Sequence, residues 1–302
     1  MAIGALPRVQ LQVSEIAILQ LRAIGTFLVL TFGVAWALWA LVLRVASTHE
    51  SRVPWLLALG GPVFLIGVFA PGLVAVALTA RNDGRRAVGA LLGRVVRWRV
   101  DIRFYAFALL LIPLTKLTVA VMHRAMVGTW PPFGETHPLL AVLATIVSTA
   151  GQAGEEVGWR GYLLPRLTER TGLVAASLVV GAIWAAWHLP LFFAPGADTN
   201  GESFPLYVLQ VTAYSVALAW LYWRTGGSLL LTMIMHAAFN NMKDLVPSGA
   251  QRDGSPFTLE GTLVFRLTVA LLWVVGVVLL LRMRGVRHIH DPLHSTDSRP
   301  AA

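Results

Sequence analysis

The sequence predicts an all-α, polytopic membrane protein, on the evidence of its composition and its long apolar stretches. Of the 302 residues, 56% are hydrophobic and 13% are charged, and the mean hydropathy is +0.68. Soluble domains carry about 25% charged residues, and a membrane span requires about 20 apolar residues. We therefore predict a helical bundle with about eight transmembrane helices, near residues 23–43, 55–79, 104–122, 139–157, 173–193, 204–223, 228–246 and 259–281.

The orientation of these spans follows from the distribution of arginine, because cytoplasmic loops of membrane proteins are enriched in basic residues. The loop 80–103 is rich in arginine, whereas the loop around Asp198 and Glu202 has no basic residue. With eight spans, both termini are predicted to be cytoplasmic. The predicted organisation is a cytoplasmic N-terminal segment 1–22, a transmembrane bundle 23–281 with its motif region at 139–246, and a disordered cytoplasmic tail 282–302.

Charge and cysteine content narrow the expected partners. The net charge is +9, but most of the basic residues fall in loops on one predicted side, so we expect no nucleic-acid partner. The absence of cysteine excludes disulfides, thiolate zinc sites and a cysteine nucleophile. We expect the protein to contact membrane lipid as a multi-pass integral membrane protein, located in the cell membrane if the source is bacterial. The sequence predicts no oligomeric state.

The adjacent acids Glu155 and Glu156 are the strongest candidates for chemistry, because ionisable residues within apolar segments usually have a functional role. Glu156 and Arg160 lie four residues apart and share a helix face, so they are expected to pair. Glu155 is rotated by about 100° from Glu156. An unpaired, buried Glu155 is therefore the better candidate for a general base near neutral pH. We expect this site to face the cytoplasmic half of the bilayer.

Two histidines lie well inside predicted spans, His188 and His236. Trp184 shares a face with His188, and Pro190 is expected to kink or end the helix there. Asn240 follows His236 by four residues on the same face, and an imidazole with an amide suits stabilisation of an oxyanion. A hydrogen bond between helices is the alternative role for each of these polar side chains. Counted along straight helices, Glu155, His188 and His236 lie at different depths.

Two further polar side chains leave alternatives open. Asn241 lies on a neighbouring face and competes with Asn240 for a place in the site. Lys116 is a second buried charge, in the third predicted span. It is expected to reach an interface or to bond to backbone near Pro113, and pairing with a site carboxylate is the alternative.

Three motifs of this chain together resemble those of the CPBP family, in order and in internal spacing. The family comprises CAAX-type prenyl proteases and bacteriocin-processing proteins, also called abortive-infection or type II CAAX endopeptidase-like proteins. Its second motif usually has Phe where this chain has Trp184. The motifs here are Glu155-Glu156-x-x-x-Arg160, Trp184-x-x-x-His188 and His236-x-x-x-Asn240.

The resemblance implies an all-helical intramembrane endopeptidase acting on a peptide or membrane-protein substrate, and it assigns a role to each motif position. Glu155 would be the base that activates water, and Glu156 would pair with Arg160. His188 and His236 would be metal ligands or hydrogen-bond partners. Asn240 would stabilise the oxyanion.

The cofactor is left open between two schemes. In one, Glu155, His188 and His236 hold Zn²⁺ with an open fourth position, and a second glutamate is needed as base. In the other, Glu155 activates water without a metal. Two rival functions also stand beside the protease: a non-catalytic bacteriocin-immunity or scaffold protein on the same fold, and a proton- or metal-coupled transporter.

Overall fold

The described part of the chain is helical and contains no strand, as the composition predicts. The computed structural model describes residues 6–47, 54–194, 197–248 and 255–289, with side chains from residue 19 to 45 and from residue 60 onward in these ranges. The principal helices are α1 (Leu6–Ser47), α2 (Pro54–Asn82), α3 (Gly84–Gly93), α4 (Ile102–Val127), α5 (Pro138–Ser148), α6 (Ala153–Glu156), α7 (Leu164–Trp187), α8 (Phe204–Arg224), α9 (Leu229–Met242) and α10 (Leu263–Arg282).

Six segments of the described chain are long and apolar enough to cross a membrane. They are Leu19–Val45, Gly60–Asn82, Ile102–Val127, Pro138–Phe193, Phe204–Arg224 and Leu263–Arg282. The segment Pro138–Phe193 has 56 residues and contains both the fourth and the fifth predicted spans. The seventh predicted span corresponds to α9, whose 14 residues are too short to cross a bilayer as regular helix. The count of eight and the sidedness of the termini therefore stay predictions.

The outer surface of the bundle is apolar, whereas its interior holds aromatic and charged side chains. Val29, Leu114, Val147 and Val274 are among the many large hydrophobic residues exposed on the outer faces. Lipid tails accept such a surface, which would be unfavourable in water. The largest fully buried side chains include Trp39, Trp159, Trp187, Arg160, Tyr162 and Lys116.

The ends of the predicted domain organisation are only partly described. Helix α1 begins at Leu6, so most of the predicted segment 1–22 continues the first span as helix. After α10 the chain returns to the bundle, where Leu173 N–H donates to the Val286 carbonyl at 2.8 Å. Residues 290–302 lie outside the described residues, and their predicted disorder stays a prediction.

Candidate active site

Both glutamates lie on an irregular stretch of helix between α5 and α7. A 3₁₀ turn, Thr149–Gln152, precedes α6, and a π-helical segment, Val157–Leu163, follows it. Such π segments occur frequently at functional sites. Gly154 and Gly158 allow α2 to approach this stretch closely: a Cβ atom at Gly154 would lie 2.8 Å from the Phe69 ring, and one at Gly158 would lie 2.6 Å from Pro71.

Glu156 is enclosed entirely by protein. Its Oε1 accepts a hydrogen bond from Arg160 Nη1 at 2.7 Å, the pairing expected from their spacing. The same oxygen lies 2.9 Å from His236 Nδ1, on α9. All three side chains are buried, so water does not compete for these bonds. Glu156 thus joins the π segment to α9 and has no access to a substrate.

Glu155 has a different environment, although it is the adjacent residue. Its Oε2 accepts one hydrogen bond, from Trp184 Nε1 at 2.7 Å. Its side chain also forms part of the wall of a cavity of about 840 Å³. Glu155 is therefore held by a neutral donor and open to a bound molecule, which is what a general base requires.

Trp184 is the residue whose role the sequence analysis did not identify. Its indole donates to Glu155, and its ring lies between the other site residues. The ring centroid is 5.0 Å from that of His236 and 6.0 Å from that of His188, and Arg160 Cζ lies 4.3 Å from it. A buried tryptophan normally places its N–H against an acceptor. Applied to Trp184, which lies four residues before an intramembrane histidine, that rule predicts a hydrogen bond from its N–H to a buried acceptor of the site.

The two histidines are both oriented through Nδ1. His188 Nδ1 lies 2.8 Å from the Trp184 carbonyl, and His236 Nδ1 lies 2.9 Å from the Glu156 carboxylate. Since these oxygens accept hydrogen bonds, each Nδ1 carries a proton, and in the neutral tautomer of such a ring Nε2 is free to accept a hydrogen bond. The two differ in access, because His188 lines the cavity and His236 does not.

The end of α7 places His188 at the cavity. Helix α7 stops at Trp187, and the 3₁₀ turn Leu189–Phe193 begins next to it with Pro190 in its first positions. The expectation that this proline ends the regular helix is confirmed. As a result the imidazole is displayed at a helix end and not within a helix–helix interface.

The structure separates the two candidate asparagines. Asn240 is exposed and lines the cavity, where its Nδ2 lies 3.5 Å from Gln152 Oε1. The amide of Asn241 instead donates to Ser148 Oγ at 2.9 Å and to the Ala237 carbonyl at 2.7 Å. Asn240 is the one that could contact a bound substrate.

Lys116 bonds to neither of the partners that the sequence analysis considered. Its Nζ donates to the Val246 carbonyl at 3.1 Å and to Ser248 Oγ, both in the segment that follows α9. It also contributes to the cavity wall, together with Glu202. Burial raises the pKa of Glu202 to about 7, against the opposing effect of nearby Lys243.

The predicted zinc set is not assembled in this structure. Among the described residues, no group of three or more His, Asp or Glu side chains converges closely enough to hold a metal ion. His236 lies behind Trp184 and Glu156 and does not reach the cavity wall shared by Glu155 and His188. The residues as arranged do not fit Zn²⁺, and the zinc scheme stays a prediction.

Comparisons with known proteins agree with the motif resemblance. The family model described as type II CAAX prenyl endopeptidase Rce1-like matches residues 136–242. The CAAX prenyl protease 2 of Methanococcus maripaludis is 22% identical over 233 residues, which cover 72% of this chain and 82% of that protein. The predicted resemblance is confirmed, and the family match and the apolar helices together support an integral, multi-pass membrane protein.

Proposed function

We propose that this chain, which resembles type II CAAX prenyl endopeptidases across its motif region, is an intramembrane endopeptidase. It would hydrolyse a peptide bond in a membrane-associated or CAAX-like protein or peptide. One observation carries this proposal: the Glu155 carboxylate, held by Trp184, faces a cavity that also contains His188 and Asn240. A base, a hydrogen-bonding imidazole and an amide donor then surround one space, as amide hydrolysis requires.

The proposed reaction uses only side chains of this chain. Glu155 takes a proton from a water molecule in the cavity, and the oxygen attacks the scissile carbonyl carbon. Neutral His188 accepts a hydrogen bond from that water through Nε2 and so orients it. The Asn240 amide donates to the oxyanion as it forms. The protonated Glu155 then gives its proton to the amide nitrogen, the C–N bond breaks, and an amine and a carboxylic acid leave, between which the remaining proton is shared as ammonium and carboxylate.

The shape and composition of the cavity support a substrate that is associated with the membrane. One wall is apolar and comes from α2, with Phe64, Leu65, Val68 and Phe69. Leu65 and Val147 both line the cavity and are also exposed. An apolar segment or a lipid-linked tail could contact this wall while its peptide bond approaches Glu155.

The test is cleavage of a library of membrane peptides by the purified protein in liposomes, analysed by mass spectrometry. Wild type and Glu155→Gln are compared, each with and without a metal chelator. Cleavage that the substitution abolishes and the chelator leaves unchanged supports the proposal as stated. Cleavage that the chelator also abolishes supports the zinc scheme, and cleavage retained by Glu155→Gln contradicts the role of Glu155.

The control in this experiment is the fold of the inactive variant. Glutamine has nearly the same shape as glutamate, so Glu155→Gln should elute from size exclusion and melt as wild type does. Absence of cleavage by the wild type across the library would favour the non-catalytic scaffold or the transporter. Flux of protons or metal ions across the same liposomes then separates these two functions.

A further inference from the structure

The two ends of the bundle differ in charge. At one end, which we call the arginine end, basic residues outnumber acidic ones. Its described acids are Asp83, Asp101 and Glu169. Its described basic residues are Arg22, Arg81, Arg85, Arg86, Arg94, Arg97, Arg99, Arg103, Arg166, Arg170, Arg224, Arg282, Arg284 and Arg287.

Contacts between distant segments show that the arginine end is one surface. Arg94 donates to the Tyr222 hydroxyl at 2.7 Å, and the Ser228 hydroxyl donates to the Arg97 carbonyl at 2.6 Å. Arg166 pairs with Asp83 at 2.9 Å. The chain between α2 and α4, the start of α7, and the turn between α8 and α9 therefore meet here.

The opposite end, which we call the mouth end, is close to neutral. Its described charged residues are Arg44, Arg124, Glu135, Asp198, Glu202, Lys243, Asp244, Glu260 and Arg266. Contacts again join distant loops: Lys243 pairs with Asp198 at 2.8 Å, and the Phe204 N–H donates to the Pro256 carbonyl at 2.8 Å.

The catalytic cavity reaches solvent at the mouth end. Its wall contains Asp198, whose side chain is 77% exposed, together with Lys243 and Asp244. No residue of the arginine end belongs to the wall. The cavity therefore extends from Glu155 toward the loops 197–203 and 243–248, away from the arginine-rich loop 80–103.

Charge and cavity together determine the side from which a substrate enters. Short cytoplasmic loops of membrane proteins are the basic ones, so the arginine end belongs in the cytoplasm. We infer that the active-site cavity opens on the extracytoplasmic face. Its substrate is then a peptide, or a segment of a membrane protein, that is exposed on that face. This inference rests on the proposed function and replaces the expectation of a site in the cytoplasmic half of the bilayer.

The chain itself allows a direct test, because it contains no cysteine. Three single-cysteine variants are expressed in bacterial cells: Asp198→Cys at the mouth end, Asn240→Cys inside the cavity and Arg85→Cys at the arginine end. Spheroplasts are treated with a membrane-impermeant maleimide, before or after the membrane is permeabilised. Residues 85, 198 and 240 are all exposed, so each cysteine is within reach of the reagent.

We expect cysteines 198 and 240 to react in intact spheroplasts, and cysteine 85 to react only after permeabilisation. The reverse pattern would overturn the inference, as would reaction of cysteine 240 only after permeabilisation. Labelling requires no catalysis, so it does not depend on the proposed function.

A second experiment measures cleavage by the wild type of two reporter proteins, which carry the same cleavable segment on the cytoplasmic or on the extracytoplasmic side of the membrane. Cleavage only of the extracytoplasmic form supports the inference, and cleavage of the cytoplasmic form contradicts it. If neither reporter is cleaved while labelling is as expected, the proposed function fails and the orientation stands.

Discussion

Glu155 and Glu156 are neighbours in the chain, yet they lie in two regions of opposite character. Glu156 belongs to a closed polar cluster with Arg160 and His236, in which each side chain is buried and the charges compensate one another. Glu155 lies on the cavity side, with the single indole of Trp184 as its hydrogen-bond donor. The comparison shows that a rotation of one helical residue separates a carboxylate that stabilises the fold from one that is available for chemistry.

The largest expected effect is on the stability of the closed cluster. Glu156→Gln removes the negative charge and leaves the Arg160 guanidinium buried without compensation, which costs about 3–5 kcal/mol. Glu155→Gln should change the free energy of unfolding by less than about 1 kcal/mol, because it removes no ion pair. Unfolding of both variants in detergent by a chemical denaturant measures the difference. Equal stability of the two variants would contradict the division of roles.

The next effect concerns the amide on the cavity side. Asn240→Ala should lower kcat by about 100- to 1,000-fold, as loss of one oxyanion donor does in other hydrolases. Asn241→Ala is the matched control, because that amide bonds to Ser148 and its own helix and does not line the cavity. Cleavage rates of the two variants should therefore differ strongly. Similar rates would show that Asn240 does not contact the reacting carbonyl.

Trp184 is expected to position Glu155 without contacting the substrate. Trp184→Phe keeps the aromatic ring and removes the donor, and should lower kcat by about tenfold, equivalent to one hydrogen bond to a charged group of about 1.5 kcal/mol. KM should stay near its wild-type value, because Trp184 is not part of the cavity wall. Trp159→Phe is the comparison, since the indole nitrogen of buried Trp159 has no described partner and Trp159 does not line the cavity. A change in KM alone would argue against the positioning role.

The smallest effect is expected at Glu202, at the mouth end, where the charged neighbours are Lys243, Asp244, Lys116 and Asp198. Burial raises its pKa from 4.5 to about 7, so the folded protein holds a proton that the unfolded chain releases. The stabilisation is complete below pH 4.5 and is lost as the pH rises through 7. For this partly exposed group, the contribution to the free energy of unfolding is on the order of 1 kcal/mol. Melting of wild type and Glu202→Gln from pH 4 to 8 measures it, and parallel curves would contradict the raised pKa.

Much of the site could be predicted from the sequence because it depends on local geometry. Residues four apart share a helix face, which correctly predicted the contact of Glu156 with Arg160. The effect of Pro190 on the helix end is likewise local, since proline lacks the N–H that continued helix needs. The prediction that the three functional side chains lie at different depths assumed straight helices. In the structure, the irregular stretch around α6 and the end of α7 bring Glu155 and His188 to one cavity wall, whereas His236 on the short α9 lies behind Trp184.

The sequence by itself determined the class of this protein: apolar length and low charge specify a membrane bundle, and three ordered motifs specify the candidate residues. Tertiary structure alone decided how these residues divide between cavity and core. It placed His188 on the cavity wall and His236 behind Trp184, separated Asn240 from Asn241, and directed Lys116 to the segment after α9. It also placed the cavity at the end away from the arginines. The physical reason is that periodicity acts within one helix, whereas access and enclosure depend on which helices pack together.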